Sequence, residues 1–455
     1  MKKQSYIESL KNIFDPKDIE IDRQSKAFYA SDWSSVEATE PLAVVFPKSK
    51  KQIKEVLKFC NLSSIPFIGS GGRTGLSGGA TAINNELIIS FEKMNKIIDF
   101  DPCDNTVLCH PGTTTQNLQN FAESQNLFYP IEFSSSGSSQ IGGNIATNAG
   151  GIKVIKYGLT KNYVDGLEVI TGDGKIICSD KRLIKNATGP DLKDIFIGSE
   201  GIFGLIVDCR MRLIKKPQET KIAIIGFNNL ENLSSIRSSI VQNYDIEAIE
   251  FFTKTCLKKI HETFSDIRNI NINSRYYIIL EYSSYEIEKL FEKLIRSKSI
   301  DDLVISQNEK QKEEMWKNRM LISESISNLE PIKFDLAVTA SNFSKLVHEI
   351  ELVVKKFKGV DPILFGHVGD GNLHANFVSS GEETISKNVR EELDLIIFKL
   401  VHKLKGTISA EHGIGYLKKN AFLKQSSKEE INTLKSFKSF FDPKNLVNPN
   451  KLIDL

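Results

Sequence analysis

The sequence predicts an α+β protein of more than one domain, on three observations. The chain has 455 residues, enough for two or three domains with ample core. After a helical preamble, its first half carries a strand–helix unit and then three glycine-rich stretches. Its second half alternates short apolar strands with helices, the pattern of an α+β domain.

Charge and composition exclude several function classes. There are 59 Lys and Arg against 57 Asp and Glu, for a formal net charge of +2. Lysines matched by acids leave no basic footprint for nucleic acid. The six cysteines (Cys60, Cys103, Cys109, Cys178, Cys209 and Cys256) include no Cys-x-x-Cys. The usual zinc-finger and iron–sulfur spacings and a disulfide framework are therefore not expected. The first residues hold no long apolar stretch, and no run approaches the roughly 18 apolar residues of a membrane span. We expect a cytoplasmic protein with no nucleic-acid partner and no integral membrane segment.

Residues 1–37 read as a helical preamble ending in Tyr29-Ala30-Ser31-Asp32-Trp33-Ser34. A short buried strand lies between Pro41 and Pro47. Ser49 and Gln52 then form a capping-box pattern before Ile53, Val56, Leu57 and Cys60 at helical spacing. The strand from Ile65 to Ile68 runs into Gly69-Ser70-Gly71-Gly72-Arg73-Thr74-Gly75-Leu76. Glycines after a strand let backbone N–H groups approach a phosphate. The dinucleotide fingerprint is absent because its sixth position is Thr74, and no Gly-Lys-Ser/Thr follows to make a Walker loop. Taken alone, such a stretch is most often only a loop.

A second stretch, residues 134–151, is almost entirely small residues. Ile141, Ile145 and its paired glycines set it apart from a flexible linker. Tyr157-Gly158 follows, and Asp173-Gly174 turns a hairpin. Residues 198–204, Gly-Ser-Glu-Gly-Ile-Phe-Gly, form the third cluster before a strand that reaches Leu213 and ends the domain at Pro217.

From Ile222 strands and helices alternate as far as a strand between Pro331 and Val338. Ile385, Val389, Leu393, Ile396, Leu400 and Leu404 then mark one buried helix face, ended by Gly406. This helix joins Phe365–Phe377, which reads Phe-Gly-His-Val-Gly-Asp-Gly-Asn-Leu-His-Ala-Asn-Phe, to an expected strand at Glu411. His367 and His374 would face apart on an unbroken strand. Gly369-Asp370-Gly371-Asn372 between them is a turn signal, so the two imidazoles can converge. With Glu411 they would make a catalytic zinc-type set with an open position. A hydrogen-bonded glycine-rich hairpin explains the local residues equally well, because His-x6-His is not a specific metal spacing.

The order of motifs is more specific than any one of them. A proline-bounded strand, Gly-Gly-Arg-Thr-Gly-Leu, Gly-Gly-Asn-Ile-Ala-Thr-Asn-Ala-Gly-Gly, Tyr-Gly and Gly-Ser-Glu-Gly together resemble the FAD-binding domain of the vanillyl-alcohol oxidase/PCMH superfamily. With residues 366–376 and Ala410-Glu411-His412-Gly413 the chain resembles, over essentially its whole length, the FAD-linked D-2-hydroxyacid dehydrogenases. Within them it is most similar to the D-2-hydroxyglutarate dehydrogenases.

The resemblance implies an FAD-binding domain of two α/β subdomains at 38–217, after an N-terminal segment at 1–37. A substrate- and metal-binding α+β domain with a mostly antiparallel sheet would follow at 218–414, and residues 415–455 would return to the FAD domain. FAD would be held by Gly69, Ser70, Gly71, Gly72, Arg73, Thr74, Gly75, Leu76, Pro111 and Gly112, then by Ser136, Gly137, Ile141, Gly142, Gly143, Asn144, Ala146, Thr147, Asn148, Gly150, Gly151, Tyr157 and Gly158. Glu200, Gly201, Gly204, Ile206 and Asn448 complete that set. Arg73 stands near the place where some members attach flavin to a histidine, so non-covalent FAD is expected. Ile202-Phe203 replaces the family's usual Thr-Leu.

By the same resemblance Arg319, Ser323, Lys333, Asn376 and His412 contact substrate, and His412 is the general base. Two separated cations suit a dicarboxylate. The metal on His367, His374 and Glu411 would be Zn2+ first, with Mn2+, Co2+ or Fe2+ as alternatives. The expected reaction is oxidation of D-2-hydroxyglutarate to 2-oxoglutarate, with electrons passed to an electron-transfer flavoprotein or a quinone-linked partner. A homodimer is compatible with this reading. D-lactate or glycolate oxidation, a metal-dependent hydrolase and an idle FAD-binding subunit are the competing readings.

Overall fold

In the computed structural model, which describes residues 2–183, 185–268, 270, 272–381 and 383–455, the chain divides into two units. The first gathers Met1–Gly151, Leu159–Lys216 and Glu411–Leu455, and the second Ile152–Gly158 and Pro217–Ala410. These boundaries differ from the expected ones in three places. Residues 1–37 belong to the first unit because Leu10 and Phe14 are buried in its core. Residues 152–158 belong to the second, where Lys156 Nζ lies 2.7 Å from Glu247 Oε1 and Tyr157 Oη donates to Glu247 Oε2 at 2.5 Å. The C-terminal return begins at Glu411 instead of residue 415.

The first unit holds two main sheets. One runs Ile19–Glu20, Val44–Val45, Leu87–Ser90, Phe67–Ser70, with parallel pairing after the first pair. The other is antiparallel and runs Ile97–Asp101, Thr106–Cys109, Gly204–Arg212, Val164–Thr171, Ile176–Ser179. Helix Lys50–Ser63 starts where Ser49 accepts the Gln52 N–H. Gln52 Oε1 in turn accepts the N–H of Lys48 at 2.8 Å, one residue before the cap, so the box is closed outside the Ser49 backbone. The Ile53, Val56, Leu57 and Cys60 face packs with Phe67, Leu87 and Ile89. Near the C-terminus Val447 bridges to Phe67, and the Asn448 N–H donates to the Phe67 carbonyl at 2.7 Å.

The second unit is one antiparallel seven-stranded sheet. Its strands are β1 (Lys221–Phe227), β2 (Ile246–Thr253), β3 (Tyr276–Tyr282), β4 (Asp302–Ile305), β5 (Ile332–Ala337), β6 (Val360–Gly366) and β7 (Asn372–Ser379). They lie side by side in the order β4-β1-β3-β2-β6-β7-β5. Both faces are covered, so β2 and β3 are buried along their whole length. On one face Ile224, Ile279, Phe252 and Phe365 pack with Cys256 and Ile260 of helix Lys254–Thr263 and with Met315 and Ile322. On the other Phe251 meets Phe343, and Phe334 meets Phe398.

Two local expectations are corrected. Helix Lys387–Lys403 buries Leu393, Ile397 and Val401, not Ile396 and Leu400. The buried residues are four apart and form one ridge, which leaves Ile396 and Leu400 on its flanks. No strand forms at Glu411 among the described residues. Thr407 exchanges backbone hydrogen bonds with Ala337 as an isolated bridge, and Gly413 and Gly415, at φ +76° and +52°, turn the chain out of extended conformation.

Candidate active site

A cleft in the first unit is lined where the three glycine-rich stretches meet. Backbone must approach backbone to close it. A Cβ on Gly72 would lie 2.0 Å from the Ser138 carbonyl oxygen, and one on Gly142 would lie 2.5 Å from Pro111 Cβ. Of the expected flavin residues, Gly69, Gly71, Pro111, Gly142, Gly143, Ala146, Gly201, Gly204, Ile206 and Asn448 line the cleft. Phe91, Gln140, Phe196, Ser199 and Leu205 also line it and were not expected.

The other expected flavin residues lie outside that lining. Ser70, Ile141 and Asn144 are buried, and Asn144 Nδ2 donates to Thr115 Oγ1 at 2.7 Å. Gly112 sits beneath the Phe91 and Met94 carbonyls. Arg73, at φ +56°, stacks 4.6 Å from both the Phe28 and Tyr29 rings, with Nη1 3.5 Å from Glu92. Gly72, Thr74, Gly75, Leu76, Ser136, Gly137, Thr147, Asn148, Gly150, Gly151 and Glu200 also lie outside it, and Tyr157 and Gly158 belong to the second unit.

The cleft fits a flavin nucleotide. Gln140 Oε1 and Asn448 Oδ1 line it, are buried, and have no hydrogen-bond partner among the described residues. Such orphaned atoms call for a polar ligand, and the glycine backbone admits one closely.

The second unit brings together a different set. The β5–β7 register puts Lys333 opposite Asn376, Asp335 opposite His374 and Ala337 opposite Asn372, while β6–β7 puts Phe365 opposite His374. Residues directly opposed share a face, so Lys333, Asp335, Asn372, His374 and Asn376 form a polar stripe beside the apolar core. The His367 carbonyl accepts the N–H groups of Gly371 and Asn372 at 3.1 and 3.2 Å, which closes the turn between β6 and β7. Gly371 stands at φ +86°, and a Cβ there would meet the Val338 carbonyl at 2.0 Å. The reversal brings His367 Nε2 within 3.4 Å of His374 Nε2.

Carboxylates stand behind both imidazoles. Glu250 on β2, fully buried, puts Oε1 2.6 Å from His367 Nδ1, and its Oε2 lies 2.6 Å from Arg319 Nη2. Burial pushes the Glu250 carboxyl up, but the hydrogen bond from His367 and the Arg319 guanidinium beside it outweigh burial and hold the group below its ordinary range. Asp335 Oδ1 lies 3.7 Å from His374 Nδ1 and accepts from Asn372 Nδ2 at 2.9 Å; its Oδ2 accepts the Ala410 N–H at 3.0 Å. Arg319 is buried over the Phe365 ring at 4.8 Å. Ser323 is exposed in the short helix Ile322–Ser325, and Lys333 is exposed on β5.

These donors fit a metal ion. A carboxylate can only accept, so a neutral His367 carries its proton on Nδ1 and offers the Nε2 lone pair. Metal–nitrogen distances of about 2.0–2.1 Å at tetrahedral angles imply an N···N edge of about 3.3 Å. The observed 3.4 Å matches that edge and is long for a direct hydrogen bond. His374 and Asp335 have ligand atoms close enough to share an ion. Sequence reasoning missed Asp335 and Glu250.

Ala410 ends the second unit, and Glu411 and His412 follow it into the first. There Ser77 Oγ donates to the His412 and Gly413 carbonyls at 2.7 and 2.9 Å. The Glu200 carboxylate accepts the N–H groups of Ile414 and Gly415 at 2.7 and 2.6 Å.

Residues 216–452 match the family described as FAD linked oxidases, C-terminal domain, and residues 41–179 match that described as FAD binding domain. The chain belongs to the FAD-linked oxidase family. This FAD-linked oxidase is 38% identical to D-2-hydroxyglutarate dehydrogenase of Stutzerimonas stutzeri (strain A1501), with 98% of each chain covered. It is 30% identical to glycolate oxidase subunit GlcD of Bacillus subtilis (strain 168), over 98% of this chain and 96% of that one. Among solved structures, p-cresol methylhydroxylase with substrate bound superposes with a TM-score of 0.77 at 16% identity, covering 99% of this chain and 97% of that one, a likeness of fold. No helix among the described residues is long and apolar enough to cross a membrane.

Proposed function

We propose that this FAD-linked oxidase converts D-2-hydroxyglutarate to 2-oxoglutarate. The observation that carries the reading is the facing pair of His367 and His374 nitrogens, 3.4 Å apart, on the sheet face that also presents Lys333 and Asn376. The relative in Stutzerimonas stutzeri named for this substrate supports the choice.

Oxidation removes a hydride from C2 and a proton from its hydroxyl. Non-covalent FAD in the glycine-lined cleft would supply a hydride acceptor, and a divalent cation, zinc by preference, for which His367, His374 and Glu411 are the proposed ligands, would supply Lewis acidity. The chain's own side chains do the rest. His412 takes the hydroxyl proton. Arg319 keeps Nε without a hydrogen-bond partner among the described residues, a donor for one substrate carboxylate. Lys333 receives the second carboxylate, Asn376 orients the carbon skeleton, and Ser323 adds a hydroxyl contact. Electrons then leave to a separate acceptor, such as an electron-transfer flavoprotein or a quinone-linked partner.

Steady-state turnover with a dye acceptor tests the reading. Higher kcat/KM for D-2-hydroxyglutarate than for D-lactate or glycolate is expected. The reverse order would move the substrate to a monocarboxylate, and dye-independent hydrolase activity without flavin would defeat the reading altogether.

A further inference from the structure

We infer that Glu250 is a positioning residue that serves metal retention and substrate-carboxylate binding together. The inference rests on the metal and substrate assignments proposed above. Its two oxygens go to residues of different duty: Oε1 lies 2.6 Å from His367 Nδ1, and Oε2 lies 2.6 Å from Arg319 Nη2.

The physical argument has two parts. Only one nitrogen of a neutral imidazole carries a proton. The carboxylate fixes that proton on Nδ1, so the lone pair of Nε2 faces His374 Nε2. A neutral acceptor in its place would hold that proton less firmly and leave the imidazole a less basic, weaker ligand. Carboxylates placed behind metal-bound histidines in this way strengthen the metal site. The second part concerns Arg319, which is buried and stacked on Phe365. A buried guanidinium needs a counter-charge, and Glu250 supplies it while leaving Arg319 Nε unpartnered among the described residues. The shared carboxylate therefore sets the lone pair of His367 through Oε1 and, through an ion pair at Oε2 that lacks hydrogen-bond geometry, holds the Arg319 guanidinium beside it. Glu250 sits on β2 and His367 follows β6, its sheet neighbour, so the link runs through rigid backbone.

The test uses the FAD-loaded full chain. Zinc affinity is measured by competition with a chromophoric chelator, and D-2-hydroxyglutarate affinity by its KM at saturating zinc. Glu250→Gln keeps the shape and removes the charge. It should lower zinc affinity about 10- to 100-fold and raise KM, with FAD content unchanged. Arg319→Lys should raise KM and leave zinc affinity unchanged. If Glu250→Gln does not fold, Glu250→Gln with Arg319→Met removes both buried charges, and it too should bind zinc more weakly. A wild type that binds zinc beside a Glu250 variant with unaltered zinc affinity overturns the inference alone. A wild type that binds no zinc overturns the metal assignment, and the inference with it.

Discussion

Glu200 and Gly415 are joined by a 2.6 Å hydrogen bond, the Gly415 N–H donating to Oε2, while Ile414 donates to Oε1 at 2.7 Å. Glu200 stands at φ +52°, its own N–H donates to the Ala146 carbonyl at 2.7 Å, and its carbonyl accepts Asn448 Nδ2 at 3.1 Å. Ala146 and Asn448 line the glycine-rich cleft, so one residue ties the flavin cleft to the backbone just after His412. Burial pushes the carboxyl up, and the two N–H groups oppose it.

That bracket predicts the effect of Glu200→Gln. An amide can accept only one of the two N–H groups without turning its NH2 toward the other. Hydrogen bonds to charged groups contribute about 1.5–3 kcal/mol. Loss of half that bracket should cut kcat about tenfold while FAD stays bound, measured as turnover per flavin. Unchanged turnover would assign Glu200 a purely local role.

His412→Ala should lower kcat about a hundredfold to ten-thousandfold, the range for a positioned base. FAD absorbance and zinc stoichiometry should remain those of the parent. Wild-type turnover in the variant would remove His412 from the chemistry.

Lys333→Met should discriminate between substrates. Lys333 sits opposite Asn376 on the exposed edge of the polar stripe, where it would meet a distal carboxylate. KM for D-2-hydroxyglutarate should rise about tenfold, equivalent to about 1.4 kcal/mol, while KM for D-lactate stays nearly constant. Equal changes for both acids would contradict the assignment.

Lys451 makes a prediction about pH. Its ammonium is buried and donates to the Thr81 carbonyl at 2.7 Å. Burial lowers its pKa to about 8 from an ordinary 10.5, against the pull of Glu86 and Asp32. Between those values the unfolded chain holds the proton and the folded chain does not, so this group's contribution to stability rises with pH. The rise is on the order of 3 kcal/mol across the window. Lys451→Met should therefore flatten the gain, read as denaturation midpoints of both proteins at about pH 7.5 and about pH 9.5.

How far the sequence foretold this site depends on how local each signal is. The turn between His367 and His374 is written in Gly-Asp-Gly-Asn, and the cap at Ser49 in its own helix start. The glycine-rich stretches were legible as close-packed backbone, but not the partners that fill their gaps, such as Gln140 and Phe91. Glu250 is 117 residues from His367 and reaches it only through the adjacency of β2 and β6. Its signal was an acid inside a strand buried from end to end. Asp335 could have been found from Lys333, because residues two apart in a strand share a face. Residues 152–158 gave no sign of leaving the first unit, since the deciding contacts are with Glu247 on β2.

The central claim is tested most directly by the visible spectrum of the purified, zinc-replete protein under anaerobic conditions, before and after D-2-hydroxyglutarate, with D-lactate in parallel. Flavin bands that bleach faster with the dicarboxylate are the predicted result. Flavin bands that bleach only with D-lactate, or a folded, FAD-supplied protein that holds no flavin, would contradict it.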